Sequence, residues 1–209
     1  MIIPYISNFK TEQASELMDN LERNPIKHQS WEEFRTNIKS CFTIAHTGNH
    51  LLIKFFSEEN ELCASVRKTN DKICNDNCVE AFIAFDNEVE YYNLEFNCFG
   101  NAKIAYGGSR DGRKLLLPET IAKIKTQSSI DTTINNEGMI SWEILLIIPK
   151  ELFEFTPIKT FEGIIAKANF YKCGDGLTKP HFLTWNKVET THPDFHQPQY
   201  FGDLKFLNK

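Results

Sequence analysis

The feature that most constrains this chain is a period-two alternation of apolar and polar side chains in several short segments. Between residues 91 and 98, apolar positions alternate with a second series made up of Tyr91, Asn93, Glu95 and Asn97. Residues two apart on a strand share a face, so this segment is predicted to bury one face and to present amides, a carboxylate and a tyrosine on the other. The same division recurs in residues 140–148 and 163–171. Alternation of this kind predicts antiparallel β-sheet rather than helix.

Short turn signals separate the predicted strands and set the expected architecture. Gly48, Gly100 and Gly174 each lie in such a turn. Many short strands with few helices indicate an all-β fold, an antiparallel β-sandwich of the immunoglobulin-like or jelly-roll-like kind. One short N-terminal helix is predicted within residues 12–23, where apolar residues recur at helical spacing. The predicted strands are residues 42–44, 51–53, 62–67, 78–85, 91–98, 102–106, 140–148, 163–171, 182–187 and 204–207.

The chain is predicted to form a single domain that spans residues 1–209. It contains no internal repeat and no linker rich in glycine, serine or proline, and its length suits one all-β domain. Residues 118–127 are compatible with either a helix or an extended loop.

Charge and composition argue against several classes of function. The net charge is −5 and the basic runs are short, so the chain lacks the positive stripe that nucleic-acid binding needs. No apolar run approaches membrane-spanning length, which argues against membrane insertion. The six cysteines include no CxxC pair, so no metal site is predicted and the thiols are expected to be reduced. The N-terminus lacks a signal-peptide pattern, so the expected location is cytoplasmic, or secreted if a leader has been removed.

The polar faces of the predicted strands carry the chemistry that recognises a sugar. Amides both donate and accept hydrogen bonds, and a carboxylate accepts them from two neighbouring hydroxyls. Tyr171 lies on the polar side of its strand, and Trp185 alternates with Leu183 in a segment that adds a large aromatic ring. Such a ring offers a flat apolar surface to the C–H face of a pyranose. Two alternatives stay open, an ordinary solvent-facing sheet and a core position for Trp185.

Five segments occur in an order that is fairly specific to one known family. They read DNCVEAFI at residues 76–83, YYNLEFN at 91–97, WEI with a later IP at 142–149, ANFYK at 168–172, and WN, FH and FG within 185–202. Over roughly residues 40–207, the chain thereby resembles family 9 carbohydrate-binding modules. The resemblance implies a β-sandwich that binds a sugar, often at a chain end between two tryptophans. It also implies that a structural calcium ion can be bound, and no other cofactor is expected.

The resemblance and the alternation together predict one shallow sugar-binding pocket on a sheet face. The resemblance implies that Trp185 is the family's second tryptophan and that Glu80 and Asn97 lie at polar positions near the sugar. Other residues occupy the region of the first tryptophan, just before Glu80, so weak binding of a mono- or oligosaccharide is expected. Alternation adds two residues, so the predicted ligand-binding set is Trp185, Tyr171, Asn97, Glu95 and Glu80.

Three other functions stay open from the sequence. Glu80, Glu95 and Glu143 can be read as carboxyls of a glycoside hydrolase, accessory or catalytic, but no nucleophile–base pair emerges. No catalytic residue is therefore predicted, and the chain is not expected to be an enzyme. The two histidines of segment 192–196 are four residues apart, yet the proline between them prevents the helix that would align them. A haem-binding sandwich would need an axial His or Met, and a plain interaction domain would need no small ligand.

Overall fold

Thirteen short strands and two short α-helices occur within residues 1–86 and 89–209, the part of the chain that the computed structural model describes. The helices are α1 (Ala14–Asp19) and α2 (Pro118–Ile121). Single 3₁₀ turns lie at Thr11–Gln13, Glu32–Phe34, Ile73–Asn75, Lys150–Leu152 and Pro198–Tyr200. The strands are β1 (Ile2–Ile3), β2 (Asn24–Pro25), β3 (Lys39–His46), β4 (His50–Glu59), β5 (Cys78–Phe85), β6 (Tyr91–Asn97), β7 (Ala102–Gly107), β8 (Lys114–Leu115), β9 (Lys125–Asp131), β10 (Ile140–Pro149), β11 (Ile165–Cys173), β12 (Phe182–Thr184) and β13 (Gly202–Phe206).

The strands form two sheets packed face to face. The larger sheet has the order β1-β13-β11-β5-β6-β7-β8, with β12 also paired to β11, and the smaller has the order β2-β3-β4-β10-β9. Neighbouring strands are antiparallel except for β1 and β13, which run parallel. The predicted antiparallel β-sandwich with a short N-terminal helix is confirmed. No helix among the described residues is long and apolar enough to cross a membrane.

The space between the sheets is filled by the apolar series that alternation predicted. Leu94 and Phe96 of β6 and Ile144 of β10 are fully or almost fully buried there. Phe42 of β3 and Phe170 of β11 stack across the two sheets, with ring centroids 3.8 Å apart. The core therefore joins the sheets through the even-numbered residues of β6 and β11 in the larger sheet and of β10 in the smaller one, as the period of two requires.

The centre of the outer face of the larger sheet is covered rather than open to solvent. Loop residues Trp31, Phe195 and Phe201 pack there on Phe82 and Tyr171 in a second apolar cluster. The alternative of an ordinary solvent-facing sheet is therefore wrong for β5, β6 and residues 169–173 of β11. Polar side chains on this face lie beneath the loops, where each needs a partner inside the protein.

Two predicted elements differ in the structure. Residues 62–67 are not a strand, because the backbone N–H groups of Ser65 and Val66 donate to the carboxylate of Asp76, at 3.0 and 2.9 Å, instead of to a neighbouring strand. Residues 118–127 contain α2 and the start of β9. The strand β9 was not predicted because its sequence, KTQSSID, is polar on both faces.

A buried charged network ties the two sheets together at one end of the sandwich. The ammonium of Lys172 on β11 lies 3.1 Å from the Glu59 carboxylate of β4 and donates to Nε2 of His181 at 3.0 Å. Trp142 and Asn77 also donate to the same carboxylate. A buried charge is tolerated only when it is paired and hydrogen-bonded, so these five side chains depend on one another.

His181 gives the fold a defined pH dependence. Burial, together with repulsion from Lys172, lowers the pKa of His181 to about 3, whereas the unfolded chain keeps the ordinary value of about 6.5. The folded pKa is depressed, so the contribution is fully present above pH 6.5 and is lost as the pH falls towards 3. We expect His181 to account for a fall of roughly 1.4 kcal/mol per pH unit in the free energy of unfolding across that window.

Urea unfolding of the wild type and of His181→Gln at several pH values measures this contribution as a difference. The glutamine oxygen can still accept from Lys172 but does not titrate, so the difference between the two proteins should vary between pH 6.5 and 3. Parallel curves for the two proteins would contradict the assignment.

Candidate functional site

A row of three polar side chains crosses the outer face of the larger sheet. Tyr171 of β11 pairs with Glu80 of β5, and Glu80 pairs in turn with Glu95 of β6. Directly opposed residues on neighbouring strands point to the same face, so the register alone brings these three side chains together. The structure thus unites three of the five predicted ligand-binding residues.

Two carboxyl groups stand side by side in this row, and both are almost fully buried. Glu80 and Glu95 are each 4% exposed. Burial, and then the neighbouring charge of Glu95, raises the pKa of Glu80 well above its usual range. Burial also raises the pKa of Glu95, although the ammonium of Lys103, 3.4 Å from Oε1, opposes that shift.

One carboxylate oxygen of Glu95 has a hydrogen-bond partner among the described residues and the other has none. Its Oε1 accepts a hydrogen bond from Asn93 Nδ2 at 2.7 Å, and Asn93 is held in turn by the guanidinium of Arg113 at 2.9 Å. Its Oε2 is buried and has no hydrogen-bond partner among the described residues. A buried acceptor without a partner is costly, which is the usual sign of a ligand or an ordered water.

A small cavity lies above this pair of carboxyls. It measures about 80 Å³ and has Glu80 and Glu95 at its floor. Since a water molecule takes about 30 Å³, the cavity holds roughly two or three waters. The loop 193–196 forms one wall, and the other lining residues are Cys74, Arg110, Cys173, Asp175 and Phe182.

Residues of the loop 193–196 occupy the side chains of Tyr171 and Tyr91. Phe195 stacks on the ring of Tyr171 with centroids 4.2 Å apart, and its carbonyl accepts from the Tyr171 hydroxyl at 3.0 Å. Tyr171 is therefore fully buried and cannot itself offer a ring to a sugar. His196 contacts the Tyr91 hydroxyl through Nδ1 at 2.9 Å, and burial lowers the pKa of its ring to about 4.

Asn97 has a structural role instead of a place in the cavity. Its amide nitrogen donates to Asp76 Oδ2 at 2.9 Å and to the carbonyl of Val66 at 3.1 Å. Its amide oxygen accepts from the backbone N–H groups of Phe99 and Asn101, at 3.2 and 2.9 Å. All of its hydrogen-bonding groups are used in fastening two loops, so its expected contact with the sugar is not supported.

Trp185 lies on the opposite side of the sheet from Glu80. Its ring packs edge-on against Phe170 and Phe42, with centroids 5.6 and 5.9 Å away, at the margin of the core between the sheets. The register explains this. Phe182 of β12 pairs with Cys173 and so lies on the outer face. Trp185 follows three residues later in an extended segment, and an odd separation places it on the opposite, inner face. The expectation that Trp185 supplies the stacking ring of this pocket is therefore corrected.

Phe182 is the aromatic residue that the sequence analysis missed. It lines the cavity and meets Trp31 and Phe34 edge-on, at 6.1 and 4.9 Å. The alternation of residues 181–185 already placed it opposite Trp185, but only the pairing with Cys173 shows which side faces the carboxyls.

A wider groove of about 480 Å³ lies on the outer face of the smaller sheet. Phe56 is covered there by the guanidinium of Arg23, 3.9 Å from the ring centroid. Glu143 is bound to Lys54 at 2.9 Å. The ring of Phe56 and the carboxylate of Glu143 in this groove thus have partners already. Asp131 at the margin of the groove provides a control position far from Glu80 in the fold.

The two packed sheets form a β-sandwich of the kind found in carbohydrate-binding modules. The chain belongs to carbohydrate-binding family 9, whose model matches residues 12–206. It is similar to a candidate carbohydrate-binding protein from Bacteroides uniformis, with 30% identity, a TM-score of 0.89, and coverage of 99% of this chain and 98% of the other.

Two structures of family 9 modules from Caldicellulosiruptor kristjanssonii share the fold. The complex with cellotriose is 15% identical with a TM-score of 0.63, and it covers all of this chain and 94% of its own. The complex with glucose is 14% identical with a TM-score of 0.59, and it covers all of this chain and 96% of its own. No curated protein matches the chain.

Proposed function

We propose that this protein binds the end of a carbohydrate chain, without cleaving it, at the pocket above Glu80 and Glu95. The observation that carries the proposal is the buried Oε2 of Glu95, which lacks a partner among the described residues and lies beside a second carboxyl. A sugar hydroxyl both donates and accepts, so it can satisfy this oxygen whether the carboxyl is ionised or protonated.

Family membership supports a sugar as the ligand. The chain belongs to carbohydrate-binding family 9, and modules of the same fold have been solved with cellotriose and with glucose. The walls of the pocket suit this chemistry, because Phe182 and Phe195 supply apolar ring surface and Arg110 and Asp175 supply polar groups at its margin.

The size of the pocket favours weak binding of a terminal group. At about 80 Å³ it is well below the roughly 300 Å³ of a pocket that encloses a small ligand. We expect one or two hydroxyls at a chain end to enter, while the rest of the ring rests against the rim. Affinity should then be roughly millimolar to high micromolar, or about −4 to −6 kcal/mol.

The same pocket does not favour hydrolysis. A glycosidase needs one carboxyl protonated and one ionised on either side of a scissile bond, with room for water. Here burial raises the pKa of both groups, and the cavity is too small to hold two linked sugar rings. Sustained turnover of an aryl glycoside, lost in Glu80→Gln, would contradict a purely binding role.

Calorimetry with glucose and short gluco-oligosaccharides tests the proposed site. Glu95→Gln should weaken binding at least tenfold, because the amide replaces an acceptor oxygen with a donor at the unpartnered position. Asp131→Asn, in the groove of the smaller sheet, should bind as the wild type does. A loss confined to Asp131→Asn would move the site to that groove, and binding by neither the wild type nor the variants would remove these sugars as ligands.

A structural calcium ion also stays a proposal. Among the described residues, one cluster brings three possible metal-binding side chains close together. It consists of Cys78, Glu80 and Cys173. Calcium takes six to eight oxygen ligands, so this cluster does not suit it.

A further inference from the structure

Two thiols and a carboxyl converge on the outer face of the larger sheet, and all three are buried. Cys78 and Cys173 are register partners on β5 and β11, and Glu80 follows two residues after Cys78 on the same face. The Glu80 Oε1 atom lies 3.2 Å from Cys173 Sγ and 3.8 Å from Cys78 Sγ. The three donor atoms all lie within 4.8 Å of one another.

These separations match the edges of a tetrahedral metal site. With zinc–sulfur bonds of about 2.3 Å and zinc–oxygen bonds of about 2.1 Å, tetrahedral donors stand roughly 3.6 to 3.8 Å apart. The observed distances fall close to that spacing, so small side-chain rotations would bring the three donors around one ion. Two paired strands carry all three, so the site is built on rigid backbone.

The fourth position faces the cavity. Cys74 and Asp175 line the cavity with Cys173 and Glu80. The backbone N–H of Asp175 donates to the carbonyl of Cys74 at 2.8 Å, which fastens these two residues to each other. A water molecule in the cavity, or one of these two side chains after moving closer, would complete four ligands.

We propose that Cys78, Cys173 and Glu80 bind a thiophilic divalent cation of the zinc type. Two thiolates and one carboxylate suit Zn²⁺, whereas calcium and magnesium prefer oxygen alone. Binding replaces the two thiol protons and any proton on Glu80, and these pass to solvent, so no oxidant or reductant is required. The site was not predicted from sequence because the two cysteines lie 95 positions apart, as their numbers 78 and 173 show, in no recognised motif.

The proposal does not rest on sugar binding, although the two sites share Glu80 and Cys173. Cys78 does not line the sugar pocket, so Cys78→Ser separates a loss of zinc binding from a loss of sugar binding. Failure of either function can therefore be recognised separately.

Titration of the reduced, chelator-treated protein tests the site. We expect one equivalent of Zn²⁺ to bind, and Co²⁺ to give the thiolate-to-cobalt charge-transfer absorption. Cys78→Ser and Cys173→Ser should each weaken zinc binding at least 100-fold, and Glu80→Gln should weaken it as well. Cys41→Ser is the matched control, since Cys41 lies on β3 in the other sheet, and it should bind zinc as the wild type does.

The protection of thiols in the wild-type protein gives a second measurement that does not depend on how the variants fold. Zn²⁺, but not Mg²⁺, should slow alkylation of Cys78 and Cys173 relative to Cys41. Equal binding by wild type and Cys78→Ser, equal alkylation with both ions, or a Cys78–Cys173 disulfide with no zinc uptake after reduction would each overturn the proposal.

Discussion

Replacing Glu59 with alanine is expected to lower the free energy of unfolding by about 3 to 5 kcal/mol. The substitution removes the only acid side chain that the structure places against the buried ammonium of Lys172 within the described residues. It also deprives the Trp142 indole N–H of its acceptor and removes a partner of the Asn77 amide. An unpaired buried charge lowers stability by far more than an average ion pair adds to it, because the desolvation penalty of the charge is no longer offset.

Chemical denaturation followed by circular dichroism measures the effect. Glu58→Ala is the matched control, since Glu58 precedes Glu59 on β4 but makes an exposed pair with Lys39 at 3.6 Å. Exposed pairs are worth less than about 1 kcal/mol. The double variant Glu59→Leu with Lys172→Met should recover much of the loss, since it removes both charges. Similar losses for Glu58→Ala and Glu59→Ala would show that the buried network is not the cause.

Replacing Trp185 with alanine is expected to destabilise the fold by roughly 2 to 4 kcal/mol while sparing the pocket. Large-to-small substitutions against a core lose both transfer free energy and packing. Because the ring of Trp185 is only half-buried, the expected loss of stability lies below the full range for buried tryptophans. The ring contacts Phe42 and Phe170 between the sheets and does not reach the carboxyls on the other side. Sugar affinity, measured at a temperature where the variant is folded, should stay within about twofold of the wild type.

Phe182→Ala provides the opposite comparison. Phe182 lines the pocket, so its loss should weaken sugar binding more than the loss of Trp185 does. Abolished binding in a cooperatively folded Trp185→Ala variant would return the stacking role to Trp185.

The faces of the strands could be predicted from the sequence because burial imposes a period of two. Tyr92 and Leu94 face the core and Asn93 and Glu95 face outward, as their spacing indicated. The cover over the outer face could not be predicted, because the loops that form it have no period. Phe195 and Trp31 lie far apart in sequence and meet only after the sheet has formed.

The candidate site was predicted in part for the same reason. Alternation placed Glu95 on the polar face of its strand, and the family resemblance implied that Glu80 lies near the sugar. Strand pairing, which the structure shows, brings the two together. Trp185 was assigned to the wrong side because alternation fixes which residues share a face within one strand, but not how that strand aligns with its neighbour. The pairing of Phe182 with Cys173 supplies that missing fact.

The polar edge strand β9 has a consequence for how copies of this chain meet. An exposed strand edge invites extension by another chain, and flat apolar edges are the usual starting points of aggregation. Six of the seven residues of β9 are exposed and Ile130 is half-buried, with lysine at the first position and aspartate at the last. A chain that added itself to this edge would gain backbone hydrogen bonds but almost no apolar contact. On its β9 side, the smaller sheet thus ends in a border that discourages self-association.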